Sequence, residues 1–280
     1  MTSRTIALTA LAMLAFAANS LLCRMALQLG RIDAMSFGSV RLVAGALTLA
    51  LIVHWRAAPA PVAARGDWRA AVALFVYVAF FSFAYLSLSA GTGALVLFGA
   101  VQLTMFGAGL YAGERFRPMA WAGFAAAVAG LLYLVAPGVT APPLLGASSM
   151  ALAGVAWGVY SLRGRGVADP LLATAGNFAR ATPLMLLLSV AMFSQARADA
   201  TGVALAVASG AIASGLGYVT WYAALRGLSA LRAATVQLSV PVIAAFGGVL
   251  FLAESISWRL GLASAAILGG IALVLASRSR

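Results

Sequence analysis

The sequence predicts an all-α integral membrane protein with ten transmembrane helices, arranged as two inverted repeats of five helices each. Three observations support this fold class: the composition, the succession of apolar segments along the chain, and an internal repeat. Hydrophobic residues make up 64% of the 280 residues and charged residues only 9%, whereas soluble domains carry about 25% charged residues. With a mean hydropathy of +1.03, the chain is predicted to be solvated by lipid.

Short stretches rich in arginine, proline and small polar residues separate the apolar segments. A helix needs about 20 apolar residues to cross the hydrocarbon core, so a chain of this length holds about ten spans. The predicted spans are residues 5–28, 34–55, 68–88, 93–112, 118–136, 145–162, 171–193, 202–225, 231–252 and 258–276. Pro183 and Pro241 fall inside two of them, where neighbouring groups can bond to the carbonyls that a proline kink leaves free.

The start of the chain allows two interpretations. Arg4, the apolar run after it and the small residues of Ala15–Ala17 resemble a signal peptide with its cleavage site. The apolar stretch continues beyond Ala17 to Leu29, which suits a spanning helix better than a cleaved leader.

The positive charges indicate the orientation in the membrane, and all 18 of them are arginines. With a cytoplasmic N-terminus, four arginines lie on the outer side, two lie within spans and twelve lie on the inner side. The twelve inner arginines are Arg4, Arg56, Arg65, Arg69, Arg115, Arg117, Arg163, Arg165, Arg226, Arg232, Arg278 and Arg280. This bias predicts that both termini are cytoplasmic. An arginine-rich chain without lysine is typical of GC-rich bacterial genes, which favours the bacterial inner membrane.

The two halves of the chain, residues 1–138 and 139–280, repeat each other. The matching residues at an offset of about 140 are Glu114 and Glu254, Gly130 and Gly270, Asn19 and Tyr160, and Arg24 and Arg165. Because each half contains an odd number of predicted helices, the second half enters the membrane in the opposite direction. Inverted repeats are the architecture of many secondary transporters, whose substrate site lies near the midplane between the halves.

Three features together resemble the EamA family of the drug/metabolite transporter superfamily: two five-helix halves, Arg41 near the start of the second span, and the sequence LSVPVIAAFGGVLFLAES at residues 238–255. Within that family the chain looks most like the YddG-type exporters of aromatic amino acids. The resemblance implies export of amino acids, aromatic and others, and of related metabolites by alternating access. Val101 departs from the family pattern, because it stands where the second half has Pro241.

Polar and aromatic side chains within the spans are the candidates for substrate binding. A zwitterionic metabolite needs donors for its carboxylate, acceptors for its ammonium group and apolar walls. The residues that lie toward the middle of their spans are Asn19, Ser82, Tyr85, Gln102, Trp157 and Tyr160. Any single tyrosine or tryptophan among them can equally serve packing or an interfacial belt.

Two arginines, Arg41 and Arg180, lie within predicted spans. Each can either attract a substrate carboxylate or satisfy exposed carbonyls and snorkel to the interface. Arg41 lies near the outer end of its span, which favours snorkelling. Arg180 lies deeper and is therefore the predicted substrate-binding arginine.

All six acidic residues fall in predicted loops or at helix ends. Exchange of protons for cationic drugs needs a carboxylate inside the membrane, so we expect uncoupled transport. The sequence shows no nucleophile–base pair, metal-ligand cluster or phosphate loop, and the expectation is no enzymatic activity, no cofactor and no metal. Its single cysteine, Cys23, excludes an intramolecular disulfide.

The expected partners are a small-molecule substrate and the lipid bilayer, with no nucleic acid, because no basic cluster lies on a soluble module. A monomer is compatible with the sequence, which does not determine the oligomeric state. Two alternatives stay open: a drug or nucleotide-sugar carrier of broader specificity with the same architecture, and a membrane sensor or scaffold that does not transport.

Overall fold

The structure, a computed structural model, describes residues 2–56, 66–113, 115–138, 140–164, 167–228 and 236–277. Within these ranges the regular secondary structure is helical, apart from an isolated β-bridge between Ile32 and Ala198. The helices are α1 Ser3–Gln28, α2 Ala34–Trp55, α3 Trp68–Ala84, α4 Ala90–Tyr111, α5 Pro118–Val135, α6 Leu144–Arg163, α7 Pro170–Ala191, α8 Ala200–Leu225, α9 Ser239–Leu252 and α10 Trp258–Ser277. The all-helical fold class is confirmed for the described residues. Each predicted span overlaps one of these helices, although residues 231–235 of the ninth span lie outside the described ranges.

Eight helices in the described ranges are long and apolar enough to cross a membrane. The other two, α3 with 17 residues and α9 with 14, are apolar but shorter. At 1.5 Å per residue, α3 is about 25 Å long and α9 about 21 Å long, against a hydrocarbon core of about 30 Å. The chain is a multi-pass membrane protein, and crossing by all ten helices stays a prediction.

Aspartate side chains begin four of the helices. Asp33, Asp67, Asp169 and Asp199 are the N-caps of α2, α3, α7 and α8, and each accepts a hydrogen bond from a backbone N–H of the first turn. Such a cap satisfies donors that the helix leaves unbonded. These four carboxylates therefore define helix starts and lie at the ends of the bundle.

Glycines allow the closest helix crossings. A Cβ atom on Gly123 of α5 would collide with the Gly270 carbonyl of α10, and a Cβ on Gly270 would collide with the Gly123 carbonyl. The same applies to Gly210 of α8, which lies against the carbonyl of Arg41 in α2. Small residues at helix crossings are the usual means by which membrane helices approach closely.

The two prolines inside predicted spans, both expected at kinks, occupy different positions in their helices. Pro241 is the third residue of α9, within the first turn, where backbone N–H groups have no partner in the helix and a proline causes no loss. Pro183 lies inside α7, which continues past it to Ala191.

Candidate functional site

Asn19, Arg41 and Tyr77 form a hydrogen-bonded group in the interior of the bundle. The Asn19 amide donates from Nδ2 to the Tyr77 hydroxyl at 3.3 Å and accepts from the Ser209 hydroxyl at 2.5 Å. Arg41 donates from Nη2 to the Tyr77 hydroxyl at 3.1 Å and from Nε to the Ser214 hydroxyl at 3.3 Å. One polar network thus joins α1, α2, α3 and α8.

Ser209 and Ser214 both come from a π-helical segment of α8, Ser209–Leu216. Such segments are rare and occur frequently at functional sites. The segment packs on α2 through Gly210, which lies against the Arg41 carbonyl. The close approach that glycine permits brings both serine hydroxyls to the side chains of α1 and α2.

Aromatic rings continue the group toward α6. The Trp157 ring lies 4.9 Å from the Tyr77 ring, 5.3 Å from the Tyr160 ring and 5.4 Å from the Tyr218 ring, measured between centroids. Distances of this size are those of interacting aromatic pairs. We call these residues together the central cluster: Asn19, Arg41, Tyr77, Phe81, Trp157, Tyr160, Ser209, Ser214 and Tyr218.

Arg41 carries the only buried charge among the described residues, with 1% of its surface exposed. Its guanidinium carbon lies 5.1 Å from the centroid of the Tyr77 ring and 5.0 Å from that of Phe81. The buried Nη1 atom has no hydrogen-bond partner within the described ranges. The interpretation of Arg41 as a snorkelling residue is therefore wrong, because the side chain points into the polar network and does not reach the interface.

The structure brings together three of the predicted site residues, Asn19, Trp157 and Tyr160. Ser82 and Tyr85 are fully buried, and the Tyr85 ring packs edge-on against Phe81 of the central cluster with the centroids 4.8 Å apart. The Ser82 hydroxyl donates to the Val78 carbonyl on its own helix, and the Tyr85 hydroxyl donates to the Ala90 carbonyl at 3.4 Å. These bonds indicate packing at the end of α3.

Gln102 and Arg180 are half-buried and are not members of the central cluster. Gln102 belongs to α4, which packs on α6 through Gly154 and Gly158. Arg180 donates from Nη1 to the Gly176 carbonyl at 2.9 Å, one turn earlier on α7. Of the two arginines within spans, Arg41 lies in the central cluster, while Arg180 bonds to a carbonyl of its own helix.

The predicted set of lining residues lacks Tyr77, Phe81 and Tyr218. One signal in the sequence could have indicated the first two, since Tyr77 and Phe81 are four residues apart and so share a helix face. A second signal was the run SGAIASGLG at residues 209–217, whose small residues favour close helix packing.

A cavity of about 110 Å³ leads from Tyr160 of the central cluster toward one end of the bundle. Its other lining residues include Asp67, Arg163, Asn177 and Tyr222. The Asn177 side chain accepts from the backbone N–H of Asp67 at 3.0 Å. The cavity therefore lies between the cluster and the ionic groups at the ends of α3 and α6.

Two groups of arginine and aspartate lie at opposite ends of the bundle. We name them after the orientation that the arginine distribution predicts. The outer ion cluster consists of Arg31, Asp33, Arg197 and Asp199, and the inner ion cluster consists of Arg56, Asp67, Arg163 and Asp169. In the outer cluster, Arg31 pairs with Asp199 at 3.1 Å, and Asp33 accepts from the Arg197 backbone N–H at 3.1 Å.

The inner ion cluster joins the connection between α2 and α3 to the connection between α6 and α7. Arg56 pairs with Asp169 at 3.0 Å, and Arg163 pairs with Asp67 at 3.1 Å. Burial disfavours the charged form of Asp67, but the Ala70 backbone N–H and the Arg163 guanidinium outweigh it and lower the pKa below the ordinary 3.8. The carboxylate is accordingly ionised across the physiological range.

The outer end has a further ion pair, between Arg24 of α1 and Glu254 after α9. Their Nε and Oε1 atoms are 3.1 Å apart, with 14% and 11% of the side chains exposed. Glu254 also accepts from the Ala90 backbone N–H at 2.8 Å. Arg259, which is close to Glu254 in the sequence, donates to the carbonyls of Leu134 and Ala136. The repeat-equivalent residues Glu114 and Arg165 lie outside the described ranges.

No group of three or more histidine, cysteine, aspartate or glutamate side chains in the described part of the chain is placed to hold a metal ion. The central cluster instead offers hydrogen-bond donors, one guanidinium and several aromatic faces. This set of groups suits reversible binding of a small polar molecule with a planar or apolar part.

Comparisons with known proteins find a family, a relative and a solved structure to which this chain is similar. A model described as the EamA-like transporter family matches residues 144–276. An uncharacterized protein of Pseudomonas aeruginosa is 58% identical over 275 residues, which cover 98% of this chain and 96% of the relative. A solved crystal structure aligns over 100% of both chains with a TM-score of 0.67 at 20% identity, which shows similarity of fold.

Proposed function

The chain belongs to the EamA-like transporter family, and on this basis we propose that it exports amino acids, aromatic and others, and related small metabolites across the bacterial inner membrane. Transport proceeds by alternating access of one site to the two sides. The family supports a membrane transporter of small molecules, while the substrate, the membrane and the cytoplasmic location of both termini are part of the proposal.

The central cluster is the observation on which the proposal depends. It combines a buried guanidinium, an amide and hydroxyl groups with the rings of Tyr77, Trp157, Tyr160 and Tyr218. Its members come from α1, α2 and α3 in the first half and from α6 and α8 in the second. A site built from both halves is what a transporter of two repeats requires.

The packing of the helices supports the division into repeats at residues 1–138 and 139–280 with ten crossings. If α1 to α5 correspond to α6 to α10, then α2 packs on its own counterpart α7, α4 on α9 and α5 on α10. The contact of α3 with α6 likewise corresponds to the contact of α8 with α1, and both are extensive. Exchange of the two halves thus preserves the main packing pairs.

The two ion clusters support alternating access. The α1–α2 and α7–α8 connections meet in the outer ion cluster, and the α6–α7 and α2–α3 connections meet in the inner ion cluster. The same exchange of halves converts the first pair of connections into the second. Arg31 with Asp199 corresponds to Arg163 with Asp67, since each pair joins an arginine at or just beyond the end of the first helix of one half to the N-cap of the third helix of the other. Opening one cluster while the other stays closed exposes the site to one side.

The position of the carboxylates supports uncoupled export. The five described acidic residues are Asp33, Asp67, Asp169, Asp199 and Glu254, and all lie outside the helices. No described carboxylate is placed to carry a proton through the middle of the membrane. The substrate gradient therefore drives transport.

The test is counterflow in proteoliposomes that are preloaded with unlabelled phenylalanine, tryptophan, threonine or a cationic dye. Uptake of the matching labelled compound is followed, with empty liposomes as the control. Transient accumulation of labelled amino acid, but not of dye, is expected. Absence of amino acid counterflow by protein that elutes as a single folded species would contradict amino acid export, and dye accumulation would favour the carrier of broader specificity.

A further inference from the structure

We propose that Arg41 binds the carboxylate of the substrate through its Nη1 atom, and that the site selects aromatic carboxylates whether or not they carry an amino group. This inference rests on the proposed function and specifies which part of the substrate is recognised. It starts from one observation, a fully buried guanidinium with an unused donor atom.

The charge of Arg41 has no ionic partner among the described residues. The salt bridges there involve Arg24, Arg31, Arg56 and Arg163, all at helix ends. Arg41 is held by two neutral hydroxyl groups and two aromatic faces. A buried charge in a protein is normally paired, so the partner that the described residues do not supply is expected to arrive with the substrate.

Two donors are available beside each other for an anion. Arg41 Nη1 has no partner within the described ranges. Tyr77 Oη accepts from both Asn19 and Arg41, which leaves its own proton available to donate. A carboxylate has two oxygens that can accept from such a pair, and arginine is the side chain best suited to this geometry.

The remainder of the cluster favours an aromatic substrate. Trp157 contacts Tyr77, Tyr160 and Tyr218 with its ring, and planar groups stack well on such faces. The cavity lined by Tyr160 leads from this region toward the inner ion cluster. A molecule that enters from the predicted cytoplasmic side would meet the rings first and Arg41 beyond them.

The central cluster has few groups that would bind the ammonium group of an amino acid. It contains no carboxylate, and the amide oxygen of Asn19 already accepts one of its two possible bonds, from Ser209. An ammonium near Arg41 would also experience repulsion between like charges in a medium of low dielectric constant. Removing the amino group from the substrate should therefore leave binding intact, whereas removing the carboxylate should abolish it.

The experiment compares three molecules that share a phenylethyl group as competitors in phenylalanine counterflow by the wild-type protein. These are phenylalanine itself, 3-phenylpropionate, which lacks the amine, and phenethylamine, which lacks the carboxylate. We expect 3-phenylpropionate to inhibit at least as strongly as phenylalanine, and phenethylamine to inhibit at least 10-fold more weakly. Equal inhibition by phenethylamine, or none by 3-phenylpropionate, would overturn the inference while leaving export itself intact.

Variants locate the effect at Arg41. Arg41→Gln should lose inhibition by 3-phenylpropionate at least 10-fold, and Arg41→Lys should recover part of it, because it restores the charge without the two-nitrogen geometry. Arg259→Gln is the matched control, since that arginine, at the start of α10, donates to carbonyls at the end of α5. If Arg41→Gln does not fold, the three competitors on the wild type decide the question. Absence of any counterflow by folded wild type would instead contradict the proposed function.

Discussion

Removing the charge of Glu254 should open the outer end of the bundle. Glu254 joins three segments, because Oε1 bonds to Arg24 of α1 and Oε2 bonds to the backbone of Ala90 at the start of α4, while its own backbone follows α9. In Glu254→Gln one oxygen remains to accept a bond, and the amide nitrogen faces a second donor. The variant therefore loses one charge-assisted bond at a site where about nine-tenths of each side chain is buried.

The size of the effect follows from that bond. A hydrogen bond to a charged group contributes about 1.5–3 kcal/mol, and little of this is lost to solvent screening at such low exposure. Each 1.36 kcal/mol is a factor of ten in an equilibrium constant. The population open at the outer end should therefore rise about 10- to 100-fold.

Cys23 reports this opening without any engineering. It is the single cysteine of the chain, is fully buried and directly precedes Arg24. The assay is the rate of maleimide labelling of purified protein in nanodiscs, which should rise about 10- to 100-fold in Glu254→Gln, since it follows the open population. Asp169→Asn, which removes a carboxylate from the inner ion cluster, is the control and should not raise the rate. A rate within twofold of wild type for folded Glu254→Gln would refute the reasoning.

Two further predictions concern packing and pH. Gly210→Ala places a methyl group against the Arg41 carbonyl and should destabilise the protein by about 1–3 kcal/mol, as overpacking does. In the control Gly269→Ala, the new methyl group meets no atom within 4 Å, so the melting temperature should stay unchanged. Equal melting temperatures of the two variants would contradict the packing at Gly210. Hydrogen bonds outweigh the opposing effect of burial and hold the pKa values of Asp33 and Asp67 below 3.8. Because a lowered pKa stabilises the folded state above the unfolded value and this gain is lost as pH falls through the folded value, the melting temperature should stay level from pH 5 to 8 and fall only below about pH 4. A fall in melting temperature centred near pH 6 that is lost when Asp33 and Asp67 are replaced would contradict these lowered pKa values.

The helices were largely predictable because their ends carry local signals. Asp33, Asp67, Asp169 and Asp199 cap helices that begin at the next residue, and Pro118 begins α5. Apolar runs between such signals have the length that the bilayer requires. These signals act within a few residues of the chain, so a single sequence displays them.

The site was only partly predictable, since depth along a span does not determine the direction of a side chain. Asn19 and Trp157 reach the central cluster, whereas Ser82, at similar depth, donates to its own helix. Helices that are apolar on all sides carry no stripe that marks the inward face. Arg41 was misinterpreted because its burial depends on the π segment of α8 and on the approach of Gly210, which belong to another part of the chain.

The most direct test of the account is phenylalanine counterflow by Trp157→Ala compared with Leu152→Ala in proteoliposomes with equal amounts of protein. Both residues lie on α6, but Trp157 contacts three rings of the central cluster, while Leu152 is 51% exposed on the outside of the bundle. The account predicts that Trp157→Ala lowers the initial counterflow rate at least 10-fold and that Leu152→Ala retains the wild-type rate. Wild-type counterflow by folded Trp157→Ala would contradict the assignment of the central cluster as the substrate site.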